Sequence, residues 1–409
     1  MKGEGNDNMD MTLEEFKENK KKKMEAFRSL QNSPYDVKKK RAEMRINEFI
    51  SEMDKRQKEA HVSVGGLDSI VLYIFVRSIG YKEIKGISVS GLEDKGNQKV
   101  HKALGLEILK SGKSKVEVLR EDGFPVLSKE TAGKIYTLQN PTEKNKTTRH
   151  AIITGECGKK GHYTKNSSMK LPKKWLELFG GYENENEGVN YKIPNFKVSD
   201  KCCEFMKEKP CRDWAEKNNS CPILGLMACE GGKREKALIE NGCNYYGKTT
   251  IRSAPFATFM PWDLLELALE MDKFYHENVE IFEKAYYEQP YSKDKDGNII
   301  PYEEIETIVP EVYGEIVKGE NGKLKTTGAS RSGCDICGFG IQLEERPHRF
   351  DRLRERNEKA WEFYMYNVCT DPETGEKYGW GRVLDYIGVE WKNKVETNEE
   401  YEQISLELE

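Results

Sequence analysis

The first 32 positions are dominated by Lys and Glu and carry few apolar residues, so they prescribe no continuous buried face. A solvated helical face or a frayed tail is expected there, and the Lys20–Lys23 run could alternatively serve as a nucleic-acid arm. Ser33-Pro34-Tyr35-Asp36 predicts a helix start, with Ser33 as N-cap and Pro34 in the first turn. Ile46, Phe49, Ile50 and Met53 then recur at helical spacing and should pack on a core. His61–Val64 is short and β-rich, Ile70–Ile79 reads as a mostly buried helix closed by Gly80, and Ile84–Val89 reads as a second strand. Gln98–Leu104 predicts another helix ending at Gly105. Strand, glycine turn, helix, strand, helix is the order of a doubly wound, mostly parallel α/β sheet. Ligands of such sheets sit beyond the carboxyl ends of the strands.

Further along, residues 140–195 are polar and hold one good helix near Lys173–Leu178, which suggests an insertion covering a site. Pro261–Tyr275 is an amphipathic helix continued by Glu277–Glu288, and 289–330 reads as loops and short strands. Arg346–Asn367 is helical and strongly charged. The linear division expected is a charged N-terminal segment (1–37), a nucleotide-binding α/β domain (38–265), a helical and loop region bearing cysteines (266–391) and an acidic tail (392–409).

Composition narrows the class. In 409 residues, 66 Lys and Arg face 70 Asp and Glu, a net charge of −4, which excludes a globally basic nucleic-acid binder but not a local basic channel. The apolar blocks exclude global disorder, and the best apolar run, Ile70–Val76, is far short of the roughly 20 residues of a membrane span. Ten cysteines without a secretory leader favour thiol, metal or redox chemistry over disulfides, and a cytoplasmic location.

Three features carry chemistry. Ser63-Val64-Gly65-Gly66-Leu67-Asp68-Ser69 places glycines and hydroxyls between a strand and a helix start, where backbone N–H groups favour an anion. Asp68 would orient this loop or a metal such as magnesium; the plainer alternative is an ordinary βα turn. Gly242–Thr249 matches the phosphate-loop expression in full, but a helix end precedes it and Pro255 follows, so it predicts a turn instead. Cys202-Cys203 and Cys334-Asp335-Ile336-Cys337, with 130 residues between them, offer four thiolates for an iron–sulfur cluster or a zinc ion. Buried free thiols or a redox pair remain alternatives. Cys157, Cys211, Cys221, Cys229, Cys243 and Cys369 read as small buried hydrophobes. Third, Glu230-Gly231-Gly232-Lys233-Arg234, after the apolar run Ile223–Ala228, sets cations at a glycine turn, and Lys144, Lys146, Arg149 and His150 form a second basic cluster.

Taken in order, these residues resemble the phosphoadenosine phosphosulfate (PAPS) reductase family. The likeness runs from Ser63–Ser69 through Gly123–Lys129, Lys201-Cys202-Cys203, Leu224–Glu230 with Arg234, Ser253-Ala254-Pro255 and Trp262-Asp263 to Gly328, Arg331, Gly333-Cys334 and Cys337–Gly340. It spans roughly residues 38–390. The resemblance implies an adenine nucleotide α-hydrolase-like fold and an adenylyl nucleotide (ATP, adenylyl sulfate or PAPS) bound by Ser63, Gly65, Gly66, Asp68 and Ser69. Lys129, Glu230, Arg234 and Arg331 would assist. It further implies a [4Fe–4S] cluster on Cys202, Cys203, Cys334 and Cys337, with zinc as the alternative. Two positions depart from the pattern: Leu67 stands where the family commonly has Lys, and no Cys follows Cys369 to match the family's C-terminal nucleophile.

Three activities follow as expectations. A sulfonucleotide reductase would use Cys369 as nucleophile, with a thioredoxin-like reductant. An ATP-dependent sulfur transferase, similar to DNA phosphorothioation enzymes, would need no such cysteine and would take a nucleic-acid acceptor. A non-catalytic nucleotide-binding regulator would need neither.

Overall fold

The computed structural model describes residues 13–156, 167–181, 191–329, 334 and 336–393. The chain forms a mixed α/β structure that divides into two compact units, residues 1–110 with 209–333, and residues 111–208 with 334–409. This division cuts across the linear boundaries expected at 38–265 and 266–391, because each unit is assembled from two separate stretches of chain. Proximity in sequence is a poor guide when the chain leaves a fold and re-enters it.

In the first unit, α1 (Leu13–Gln31) is the solvated helix expected, with exposed Lys22–Glu18 and Lys21–Glu25 pairs at i,i+4. Helix α2 (Tyr35–Lys55) starts one residue later than the capping pattern suggested. Pro34 occupies the N-cap, while the Ser33 hydroxyl donates backward to the Ser29 carbonyl. Its apolar stripe runs Ala42, Ile46, Phe49 and Met53, all buried. Lys38 lies on that face too, paired at 2.6 Å with Asp263 although both side chains are buried.

Strand β1 (Glu59–Ser63) leads into α3 (Leu67–Ser78), buried from Ser69 through Arg77. An apolar helix with so little polar face must sit inside a structure rather than on it. Next come β2 (Lys85–Ser88), α4 (Lys95–Ala103) and β3 (Glu107–Ile108), and, after the chain returns, α5 (Lys209–Lys217), β4 (Ser220–Leu224), α6 (Gly232–Asn241), β5 (Asn244–Tyr246), β6 (Ile251–Ser253) and α7 (Pro261–Glu277). The six strands form one sheet in the order β3-β2-β1-β4-β6-β5, parallel except at its β5 edge. Strand order reverses between β1 and β4: β2 and β3 run outward from β1 on one side, and β4, β6 and β5 lie on the other. Such a switch point opens a crevice at the carboxyl ends of the two central strands.

Among its described residues the second unit has little regular sheet: four two-residue strands in two pairs, and short helices around an aromatic core. Trp380 is fully buried, with Phe124 at 5.0 Å and Phe350 at 5.2 Å between ring centres. The polar stretch expected to be a covering insertion contributes to this core instead. Ile152, Ile153, Leu171, Leu176 and Phe179 are buried in it, and a helix over Lys146–Thr154 joins the one found at Lys173–Phe179. The charged segment near the C-terminus is helical in three pieces: Arg349–Arg356, Glu358–Glu362 and a π-helical turn at Phe363–Asn367. No helix among the described residues is long and apolar enough to cross a membrane.

Candidate functional site

The glycine loop leaves the carboxyl end of β1 at the switch point. Val64 N still bonds to Ile87 O at 2.8 Å, so the parallel ladder holds the loop's entry rigidly. Gly66 then caps α3. The Ser69 hydroxyl folds back over the turn, accepting from Gly65 N at 2.8 Å and donating to Gly66 O at 2.9 Å. Leu67 N donates to the Tyr313 hydroxyl at 3.1 Å. Leu67 itself is buried in the core, so position 67 points a side chain inward. On the neighbouring strand, in register with Ser63 at Leu224, the chain turns at Gly225. A Cβ there would lie 2.9 Å from the carbonyl carbon of Asp68, so the β4 loop packs backbone to backbone on the first turn of α3. Only glycine permits that approach.

The β4 loop continues through a turn at Ala228–Glu230 into α6. Arg234 on α6 pairs with the carboxylate of Glu230, whose side chain is nearly buried while Arg234 remains half exposed. Ser63, Gly65, Gly66, Asp68 and Ser69 are thus contiguous on one loop, and Glu230 and Arg234 follow the adjacent strand. Lys129 belongs to the second unit, where it pairs with Glu208. Arg331 lies outside the described residues, as does Cys157. The phosphate-loop look-alike Gly242–Thr249 contains β5, antiparallel to β6, and no helix opens at Lys248; it is a hairpin turn. Of the second basic cluster, Arg149 is buried and donates to Asn145 Oδ1 at 2.8 Å, so it braces its own helix, whereas Lys144, Lys146 and His150 are exposed.

The four cysteines are gathered within the second unit. Cys202 and Cys203 end a short helical turn that runs into a π-helical turn over Glu204–Glu208. Cys337 N bonds to Cys334 O at 3.0 Å, folding the CxxC into a tight turn. Gly338-Phe339 then pairs in parallel with Val126-Leu127. A Cβ at Gly338 would lie 2.4 Å from the Trp380 ring, so glycine is required where the turn meets the aromatic core. All four cysteines line one cavity of about 410 Å³, its open mouth included, walled by apolar groups such as Leu119, Pro125, Met206, Ile336 and Phe339.

Burial in that cavity, reinforced by their mutual proximity, pushes the Cys202 thiol up to about 12 and the Cys203 thiol up to about 11. Burial also raises Cys337, opposed by the Phe339 N–H that donates to its sulfur. Lys115 and Lys207 reach the cavity wall, and Arg349 donates to the Cys337 carbonyl at 3.0 Å. Four soft sulfur donors ringed by cations suit a thiolate-bound metal centre carrying net negative charge. Among the described residues, no three His, Cys, Asp or Glu side chains converge tightly enough for a single metal ion.

The nine cysteines described are all free thiols. Cys221 and Cys243 are buried, as expected, whereas Cys211 and Cys229 are only half buried. Cys369 corrects the catalytic expectation. Its thiol is buried, directed at Leu119 O at 3.8 Å, and burial raises its pKa. A nucleophilic cysteine needs exposure and a lowered pKa. Sequence reasoning missed residues around each site: Tyr313 at the loop, and Lys115, Lys207 and Arg349 at the thiols. Only Lys207, one helical turn past Cys203, had a local signal. Compared with known protein families, with curated proteins and with solved structures, the chain matches none.

Proposed function

We propose that this protein is an adenine-nucleotide-dependent enzyme of sulfur chemistry, similar to the PAPS reductase family. In this reading the Ser63–Ser69 loop takes the nucleotide phosphates, and Cys202, Cys203, Cys334 and Cys337 hold a [4Fe–4S] cluster. The observation that carries it is the convergence of those four cysteines, drawn from two distant stretches, on one cavity. A zinc ion, with bonds of about 2.3 Å, draws its thiolates tightly together. A polynuclear cluster holds them further apart, which agrees with the lack, among the described residues, of three such side chains converging on one ion. Such a cluster, when bound, supplies electrons or a coordination position for sulfur.

Between the two reactions, sulfur transfer is favoured over sulfonucleotide reduction because the described cysteine nearest the C-terminus is buried and raised in pKa. In a transferase, an acceptor oxygen attacks the α-phosphorus of ATP. The bond to the bridging oxygen breaks, and pyrophosphate leaves with the electron pair. A sulfide donor then displaces AMP from the activated acceptor, its sulfur forming the new bond as the bond to the adenylate oxygen breaks; a persulfide does the same with its terminal sulfur, and a thiol co-reactant then removes the carrier sulfur as a disulfide. The backbone N–H groups at the entry to α3, that of Gly66 foremost, would meet the phosphates, and Asp68 is suited to hold the accompanying magnesium. A nucleic acid is the proposed acceptor, and the free thiols fit a cytoplasmic setting.

The test is anaerobic purification with iron and acid-labile sulfide assays, followed by incubation with ATP or adenylyl sulfate, with DNA or RNA and a persulfide donor. Pyrophosphate release from ATP stimulated by nucleic acid is expected. Sulfite release from adenylyl sulfate would replace transfer by reduction, and an iron-free protein would remove the cluster.

A further inference from the structure

We propose that His101 is a positioning residue for the nucleotide loop, fixing the direction in which the Gly65–Gly66 peptide presents its N–H group. This inference rests on the phosphate-binding reading of that loop. His101 lies on α4 and is fully buried. Its Nε2 is 2.8 Å from the Gly65 carbonyl oxygen. A carbonyl can only accept, so Nε2 carries the proton and donates. On the other side of the ring, Nδ1 is 3.0 Å from the Ser90 hydroxyl and 3.2 Å from that of Ser88. Those hydroxyls donate to Nδ1 and hold the imidazole in the tautomer that the Gly65 bond needs.

The consequence lies in the geometry of the peptide. In a trans peptide the C=O and the following N–H point in opposite directions. The only cis bond among the described residues is Arg346–Pro347, so Gly65–Gly66 is trans. Pinning the Gly65 oxygen to a buried imidazole turns the Gly66 N–H outward, to the half-exposed side of the loop. The neighbouring donors are already engaged, Gly65 N by Ser69 and Leu67 N by Tyr313. Gly66 N–H is therefore the donor that this arrangement aims at an incoming phosphate oxygen. Two successive glycines would otherwise let this peptide rotate freely. His101 removes that freedom before the ligand arrives, and pre-organisation of this kind strengthens binding.

Calorimetric titration of the full chain with inorganic pyrophosphate and with Mg–ATP tests this, alongside the thermal midpoint of each variant. His101→Leu is expected to weaken pyrophosphate binding about tenfold, the scale of one lost charge-assisted hydrogen bond. His101→Gln keeps an N–H donor at the same reach and should restore binding to within about threefold. Rescue by glutamine separates positioning from mere packing, because leucine fills the space equally well. If His101→Leu does not fold, the Ser88→Ala/Ser90→Ala pair, which frees the tautomer, should still weaken binding. Unchanged affinity in a folded His101→Leu protein, unchanged affinity in the serine pair, or a folded glutamine variant as weak as leucine, would overturn the proposal. A wild-type chain that binds neither probe overturns the nucleotide reading, and this inference with it.

Discussion

The two units build their candidate sites in opposite ways. In the first, the working groups are backbone donors of one seven-residue loop, aimed by the edge of a parallel sheet. In the second, they are four side chains brought from residues 202–203 and 334–337 onto one cavity. A backbone site needs the right local conformation and little side-chain identity beyond glycine, serine and aspartate. A thiol site needs side-chain identity and leaves the local conformation open, so a π-helical turn and a tight CxxC turn serve equally well. The difference predicts independence: each site should be removable without touching the other's ligand.

The largest effect expected is on metal content. Cys337→Ser should abolish bound iron and sulfide in anaerobically prepared protein, while pyrophosphate binding stays within about twofold of wild type. Parallel loss of both would break the contrast. Next in size, Asp263→Asn leaves the buried Lys38 ammonium without its anion and removes the carboxylate that accepts from Met260 N at 2.7 Å. A loss of about 3–5 kcal/mol in urea denaturation is expected. Iron content read in the native baseline should be spared.

Third is a pH effect confined to the first unit. His61 is buried beside Trp214, with ring centres 5.0 Å apart, and burial lowers its pKa from 6.5 to about 4. The unfolded chain binds this proton more readily than the folded one. The neutral imidazole's stabilisation is therefore complete above about pH 6.5 and is lost as pH falls toward 4, amounting to about 3 kcal/mol. His61→Asn should flatten this part of the stability profile. Smallest is Ser69→Ala, which removes the hydroxyl bridging Gly65 N and Gly66 O. It should cost about 1 kcal/mol and weaken pyrophosphate binding several-fold. No change in either would show that the hydroxyl latch is dispensable.

The same contrast explains what was legible in the sequence. The glycine loop was readable because strand, turn and helix are contiguous there, and β1 and α3 arrived within a few residues of their expected bounds. The cysteine spacing was readable as a candidate ligand set, but nothing local showed that Lys115 or Arg349 would stand beside it. The polar composition of 140–195 concealed five core residues, because Ile152, Ile153, Leu171, Leu176 and Phe179 are spaced too irregularly for a periodic signal. Arg149 misled for a related reason: a cation reads as solvated until its buried hydrogen bonds are known. Leu67, a departure from the family pattern at the level of letters, became intelligible once its side chain was seen in the core.

The strand order has a consequence for synthesis of the chain. β1 is flanked by β2 on one edge and by β4 on the other, with Glu59 opposite Ser220 and Ser63 opposite Leu224. A ribosome delivers β2 almost at once, but β4 only after the whole 111–208 stretch of the other unit has emerged. During that interval the central strand keeps an unpaired edge, the kind of surface on which nascent chains mispair. The sheet that positions the glycine loop is therefore closed late, by a long-range pairing of the slow-forming kind.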